Sequence, residues 1–185
     1  DYRDALSALD LGDVSITERN LLGKGQFLRL KLSGSQSRMQ ADLSFTEPRF
    51  LDRNISAGFD LFRIERDFKN ESDYKSRSTG FGLRMGYALT EHLTQNWRYR
   101  LSYDEIFDVG ANASLIIQAQ PSHQLTSLVG TELLYDRRDD RQDPTDGYYV
   151  RLGLDFAGVG GDTQFVRTRI GAGYYYPFWE GWVAS

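Results

Sequence analysis

Apolar and polar side chains that alternate over nine or more residues commit a chain to long strands with one face apolar and one face polar. This sequence alternates repeatedly. Leu28, Leu30 and Leu32 interleave with Arg29, Lys31 and Ser33, and Met39, Ala41, Leu43 and Phe45 interleave with Gln40, Asp42, Ser44 and Thr46. Ile55, Ala57, Phe59 and Leu61 face away from Ser56, Gly58 and Asp60. Phe81, Leu83, Met85 and Tyr87 then alternate with Gly82, Arg84 and Gly86, and Trp97, Tyr99, Leu101 and Tyr103 with Arg98, Arg100 and Ser102. Two late runs repeat the pattern: Tyr148 to Phe156 against Tyr149, Arg151, Gly153 and Asp155, and Val166 to Tyr176 against Arg167, Arg169, Gly171 and Gly173. Residues 14–19 and 125–136 are strand-like with weaker alternation. After Leu61 the phase slips to Phe62 and Ile64, which predicts a bulge or a strand end leaving the lipid zone.

Between these runs lie short segments rich in Gly, Pro, Asn and Asp, the residues that turns use. Residues 68–76 read as a longer polar loop. Residues 108–124 are the main irregular piece, with a short helix predicted over 112–120. Strands so closely spaced leave no room for crossover helices, so the sheet is predicted to be an antiparallel meander.

A soluble sandwich or lipocalin-like barrel also alternates. Strand length argues for a membrane barrel: runs of about 9–13 residues exceed the usual 5–6 of soluble strands and match a tilted crossing of the hydrocarbon layer. A mean hydropathy of −0.51 does not count against this, because lumen-facing residues dilute the average. Among 185 residues no stretch approaches a membrane helix. The apolar face carries Trp97, Tyr99, Tyr103, Tyr148, Tyr174 and Tyr176, a candidate aromatic girdle at the lipid–water boundary.

Composition closes other routes. There is no cysteine, so thiolate metal sites and thiol catalysis lack material, and a net charge of −4 offers no attraction to nucleic acid. His92 and His123 read as a turn and a loop residue. The acidic turn at 139–147 lacks calcium-loop spacing; there Pro144 fixes φ, Asp146 is expected to bond locally, and Gly147 permits positive φ. The glycines at 158–161 precede no helix, so they do not form a phosphate loop. No catalytic, metal or cofactor site is expected, and the function is predicted to be non-enzymatic.

Four motifs go further. Residues 14–25, with Asn20, Gly23 and Gly25, resemble the strand and "NxxGxG" turn that opens the barrel of the BamA family. Leu43 to Leu51, through Pro48, resembles its "SFTEPxF" strand end; Tyr135 to Asp139 followed by Asp143 to Gly147 resembles its "YDxRD…DPTxG" turn; and Tyr174 to Phe178 resembles its "YxP" strand. They occur in family order over nearly the whole chain. The resemblance implies an antiparallel transmembrane β-barrel in the bacterial outer membrane, of which this chain holds roughly strands two to ten of about sixteen. It implies that periplasmic POTRA domains, a "VRGF"-type lumen loop and the terminal strands lie outside this sequence. The gate-forming first strand would be absent or reduced to residues 1–9, and 182–185 would start a further strand.

The implied function is to fold and insert other barrels. The implied partners are outer-membrane lipid, client β-barrel proteins and accessory assembly lipoproteins, with no nucleic acid. Secretion by a two-partner or TamA-like relative, and a passive porin, remain as alternatives. The polar face supplies candidate lumen residues: Arg84, Arg98, Arg100, Glu132, Asp136, Arg151, Asp155, Arg167 and Arg169. Arg98 and Arg100 are expected near Glu132 and Asp136, and Arg151 and Asp155 near Arg167 and Arg169. They read either as an internally paired lumen or as contacts that hold an inserted loop.

Overall fold

The computed structural model describes residues 12–179 and 182–184. Its strands are β1 (Gly12–Leu21), β2 (Gln26–Gly34), β3 (Arg38–Glu47), β4 (Ile55–Asp67), β5 (Lys75–Ala88), β6 (Leu93–Phe107), β7 (His123–Asp136), β8 (Gly147–Ala157), β9 (Phe165–Trp179) and β10 (Trp182–Ala184). They form one sheet in chain order, every neighbouring pair antiparallel. Apart from residues 108–122, the connections are too short for a parallel neighbour, which needs a crossover of a dozen residues or more, and across 108–122 β6 and β7 still pair antiparallel. The expected further strand is β10, although Ser185 lies outside the described residues. So does the expected remnant of a first strand at residues 1–9.

Two local expectations are corrected. The slip near Leu61 is not a bulge: β4 pairs with β3 and with β5 without interruption. Phe62 and Ile64 are simply apolar side chains on the polar face, and Arg63 and Glu65 stand on the other. The described registers shift elsewhere, between Glu18 and Leu21 in β1 and between Trp182 and Val183 in β10. The predicted helix is shorter than 112–120. A helix α1 (Lys69–Ser72) lies in the loop after β4, and α2 (Leu115–Ala119) is the predicted one. Ser114 starts α2 by accepting the Ile117 N–H at 3.3 Å. Pro121 ends it, because the residue before a proline is pushed out of helical geometry, and Gln120 sits at φ −73°, ψ 147°.

Burial is inverted relative to a water-soluble domain. On β8 the outward Leu152 and Phe156 are each 48% exposed, while Asp155 between them on the other face is 1% exposed. Among the described residues the buried hydrophobics are Ala113, Leu128 and Ala157. Among the described residues no second layer covers the apolar face. Leucines left in this way are stable only if lipid, not water, meets them.

The strands end in two sets of connections. One end carries residues 35–37, 68–74, 108–122 and 158–164, and is called here the loop end. The other carries residues 22–25, 48–54, 89–92 and 137–146, and is called the turn end. At the loop end β7 outruns β8, and the free edge is covered by the 158–164 loop. Gly158 donates its N–H to the Ser127 carbonyl at 3.1 Å, Asp162 donates to Leu125 at 2.7 Å, and Leu125 donates to the Asp162 carboxylate at 2.8 Å. These bonds satisfy backbone groups that would otherwise face lipid.

Candidate functional site: the charged wall

Strand parity places all nine candidate charges on one face, but the register distributes them differently from expectation. Arg98 lies opposite Gly130 and Arg100 opposite Leu128, not opposite acidic residues. Glu132 instead meets Arg151 from β8 at 3.8 Å. Asp136 is taken by Arg138 and Arg141 of the following turn, at 2.8 and 3.5 Å. Arg100 stacks on Phe62, with its guanidinium carbon 4.2 Å from the ring centroid. Arg84 grips Asp60 at 2.6 and 3.0 Å and reaches Ser44 at 3.0 Å, tying β5 to β4 and β3.

Asp155 is the hub. It pairs with Arg167 at 3.2 Å and with Arg169 at 2.8 Å, as the sequence suggested, and also with Arg98 two strands away. The intervening residue on β7 explains the reach. A Cβ at Gly130 would overlap the Asp155 carboxylate and lie 2.6 Å from Arg98 Nε, so glycine is what lets the arginine cross. The partner two strands away was not visible in the alternation; the only signal was a glycine interrupting the inward row of β7. One carboxylate faces three guanidiniums, each 37–54% exposed toward the polar side. A carboxylate so enclosed needs such partners, because burial without them is costly.

The turn residues are built as small clasps. Asn20 accepts the Gly25 N–H through its side chain at 2.7 Å, and Gly23 and Gly25 both stand at φ +70°. Pro48 lies 3.9 Å from where a Gly25 Cβ would be. In the 137–146 turn the carboxylate of Asp146 is not among those that bond: Asp140 accepts the Gln142 and Asp143 N–H groups at 2.6 and 3.1 Å, and the turn is closed by Asp139. Asp139 accepts the Thr145 and Asp146 N–H groups at 2.9 and 3.0 Å and the Thr145 hydroxyl. These donors, the hydroxyl first, hold its carboxyl well below the usual carboxylate range. An aspartate placed before a turn can reach forward to its N–H groups, whereas Asp146 follows them. Pro144 lies within this turn, and Gly147 opens β8 at φ +100°.

The aromatic candidates occupy different heights. Tyr148 and Tyr174 face each other near the turn end, with Tyr176 beyond them and Tyr135 6.0 Å from Tyr148. Tyr103 stands at the loop end, its ring 6.2 Å from His123. Trp97 and Tyr99 are further inside the strand, and the Tyr99 hydroxyl lies 3.1 Å from Ser127 Oγ. His92 lies edge-on to Tyr135, in a turn as read. Among the described residues no group of acids and histidines could hold a metal.

The loop end has its own charged clasp. Lys69 contacts Asp108 at 3.0 Å and Asp73 at 3.3 Å, joining the loop after β4 to the loop after β6. The Asp108 carboxylate, and then Asp73, raise the lysine's pKa. Gly110 donates its N–H to the Asp73 carbonyl at 2.7 Å, and Asn112 donates to the Asp73 carboxylate at 3.2 Å.

The Omp85 superfamily domain matches residues 20–185. The outer membrane protein assembly factor BamA of Neorickettsia risticii is 33% identical over 162 residues, covering 88% of this chain and 22% of that protein. BamA of Nitratidesulfovibrio vulgaris is 31% identical over 155 residues, covering 83% and 19%. The SAM50-like protein CG7639 of Drosophila melanogaster is 27% identical, covering 92% and 40%. The chain thus spans about a fifth of the length of the two assembly factors. The crystal structure of BamA from Haemophilus ducreyi lacking POTRA domains 1–3 superposes with a TM-score of 0.71 at 20% identity, over 92% of this chain and 36% of that one. The four motifs, the single antiparallel sheet with its apolar outside, and these matches together show that the chain belongs to the Omp85 superfamily and forms part of the wall of its transmembrane β-barrel.

Proposed function

We propose that this chain is barrel wall of an outer-membrane protein assembly factor, a non-enzymatic machine that folds and inserts client β-barrels in the bacterial outer membrane. The observation that supports this most is the similarity, at 33% and 31% identity over most of the chain, to two proteins that bear that name. The wall's physical contribution is a rigid frame. Ion pairs and stacked arginines cross-link β3 to β9 on the lumen side, while the outside offers lipid a surface of leucines and aromatics. The full-length protein's partners on this reading are client barrels, lipid and accessory assembly lipoproteins.

The experiment reconstitutes the full-length protein in liposomes and adds an unfolded client barrel. The expected result is client folding at least about tenfold faster than into empty liposomes, a barrier change of about 1.4 kcal/mol. Unaccelerated folding with a large, stable single-channel conductance would replace assembly with a passive pore.

A further inference from the structure

At the turn end, on the lipid side, lies a cleft of about 840 Å³. That is within the size range of small-ligand sites. Its inner wall is apolar: Phe45, Phe59 and Leu83 stand side by side on β3, β4 and β5, with the two phenylalanine rings 5.5 Å apart. Its mouth is charged in a balanced way. Lys24 comes from the turn after β1 and Arg49 from the turn after β3, and the carboxylates of Glu47 and Asp52 line the same rim. Glu47 is held in place by Gln26 Nε2 at 2.5 Å and by the Arg49 N–H at 3.1 Å. The side chains of Lys24, Arg49 and Asp52 make no ion pair or hydrogen bond with any described residue.

The turns around the cleft carry a second, independent oddity. Leu22 and Leu51 both sit at φ 56°, a left-handed conformation that leucine disfavours, and they are 79% and 74% exposed. A strained backbone that only presents leucine to water has nothing in its favour. The same backbone at the edge of a bilayer places two aliphatic side chains among acyl chains.

We propose that this cleft binds a zwitterionic phospholipid of the phosphoethanolamine class. The acyl chains would lie against Phe45, Phe59 and Leu83, the phosphate at Lys24 and Arg49, and the ammonium at Glu47 and Asp52. Two cations with two carboxylates match a head group of zero net charge better than an anionic one. Carboxylate acceptors favour a primary ammonium, which has N–H donors, over a quaternary one, which has none. The inference rests on the transmembrane reading of the sheet.

The test uses the full-length protein extracted in mild detergent. Native mass spectrometry measures retained lipid after titration with phosphatidylethanolamine, phosphatidylcholine or phosphatidylglycerol. The expected result is at least about fivefold greater retention of phosphatidylethanolamine than of the other two. Lys24→Gln with Arg49→Gln should remove retention of all three. Glu47→Gln with Asp52→Asn should reduce phosphatidylethanolamine to the phosphatidylcholine level, and Leu51→Ser should weaken retention without touching charge. Circular dichroism confirms that each variant keeps wild-type strand content. Equal retention of the three lipids, preference for phosphatidylglycerol, or charge variants that behave as wild type would overturn the proposal. Liposome flotation separates the two claims: a protein that floats without lipid preference overturns the cleft alone, and one that does not float overturns the transmembrane reading.

Discussion

Gly130 shows how one residue decides the wall's chemistry. Its missing Cβ is the space through which Arg98 reaches Asp155. Gly130→Ala is therefore expected to destabilise the barrel by about 1–3 kcal/mol, the usual range for overpacking a filled site. Gly171→Ala is the control: the nearest atom to its added Cβ would be Arg151 Cβ at 3.9 Å, ordinary contact, so little change is expected. Thermal unfolding of both variants in detergent, followed by circular dichroism, checks the contrast. Asp155→Asn asks a harder question of the same cluster. It leaves three guanidiniums facing a neutral amide, and a loss of about 3 kcal/mol is expected from breaking a buried ion pair. Equal melting of Asp155→Asn and wild type would mean that water, not Asp155, neutralises the arginines.

At the scale of elements, the β7–β8 hairpin depends on the turn at 137–146, and that turn depends on Asp139. The Asp139 carboxyl titrates below its ordinary value because its charged form accepts the Thr145 hydroxyl and the Thr145 and Asp146 N–H groups. A group whose folded pKa is lowered stabilises the fold above its unfolded pKa, near 4, and loses that contribution as pH falls toward the folded value. Amide exchange at Asp146 should therefore accelerate below about pH 4 relative to amides in the strand centres. Asp139→Asn, which accepts through a single oxygen and does not titrate there, should flatten that dependence. Exchange that is flat with pH in the wild type would show that the turn does not rely on the carboxylate. Strand existence and face were legible in the alternation, because Leu152, Leu154 and Phe156 declare one side of β8 unaided. Which charges meet was not. Partners such as Arg98 and Asp155 are set by register across two strand boundaries and by a glycine between them, and local pattern carries neither. Phe62 misled for a related reason: the pattern marked it as a phase slip, but an arginine from two strands away gives an inward phenylalanine a partner.

For the whole molecule, the decisive quantity is where the lipid layer ends on the outer face. Phe59 and Leu83 face each other across β4 and β5 within the apolar zone. Further toward the loop end the same face carries Arg77, bound to Glu65 at 3.1 Å and Glu105 at 3.4 Å. Placing that ladder in hydrocarbon would take three charges, one cation and two carboxylates, out of water. The strands β4 to β6 must therefore project beyond the bilayer at the loop end. The Lys69 clasp there, between the loops after β4 and β6, stands in water, where Asp108 and Asp73 hold its charge. The chain has no cysteine of its own, so single labels are unambiguous within it. Spin labels on Phe59→Cys and Leu83→Cys in liposomes should be relaxed by dissolved oxygen and shielded from an aqueous nickel complex. A label on Arg77→Cys should show the reverse. If all three were equally open to the aqueous reagent, the apolar face would be meeting water, and the transmembrane placement of this sheet would fall.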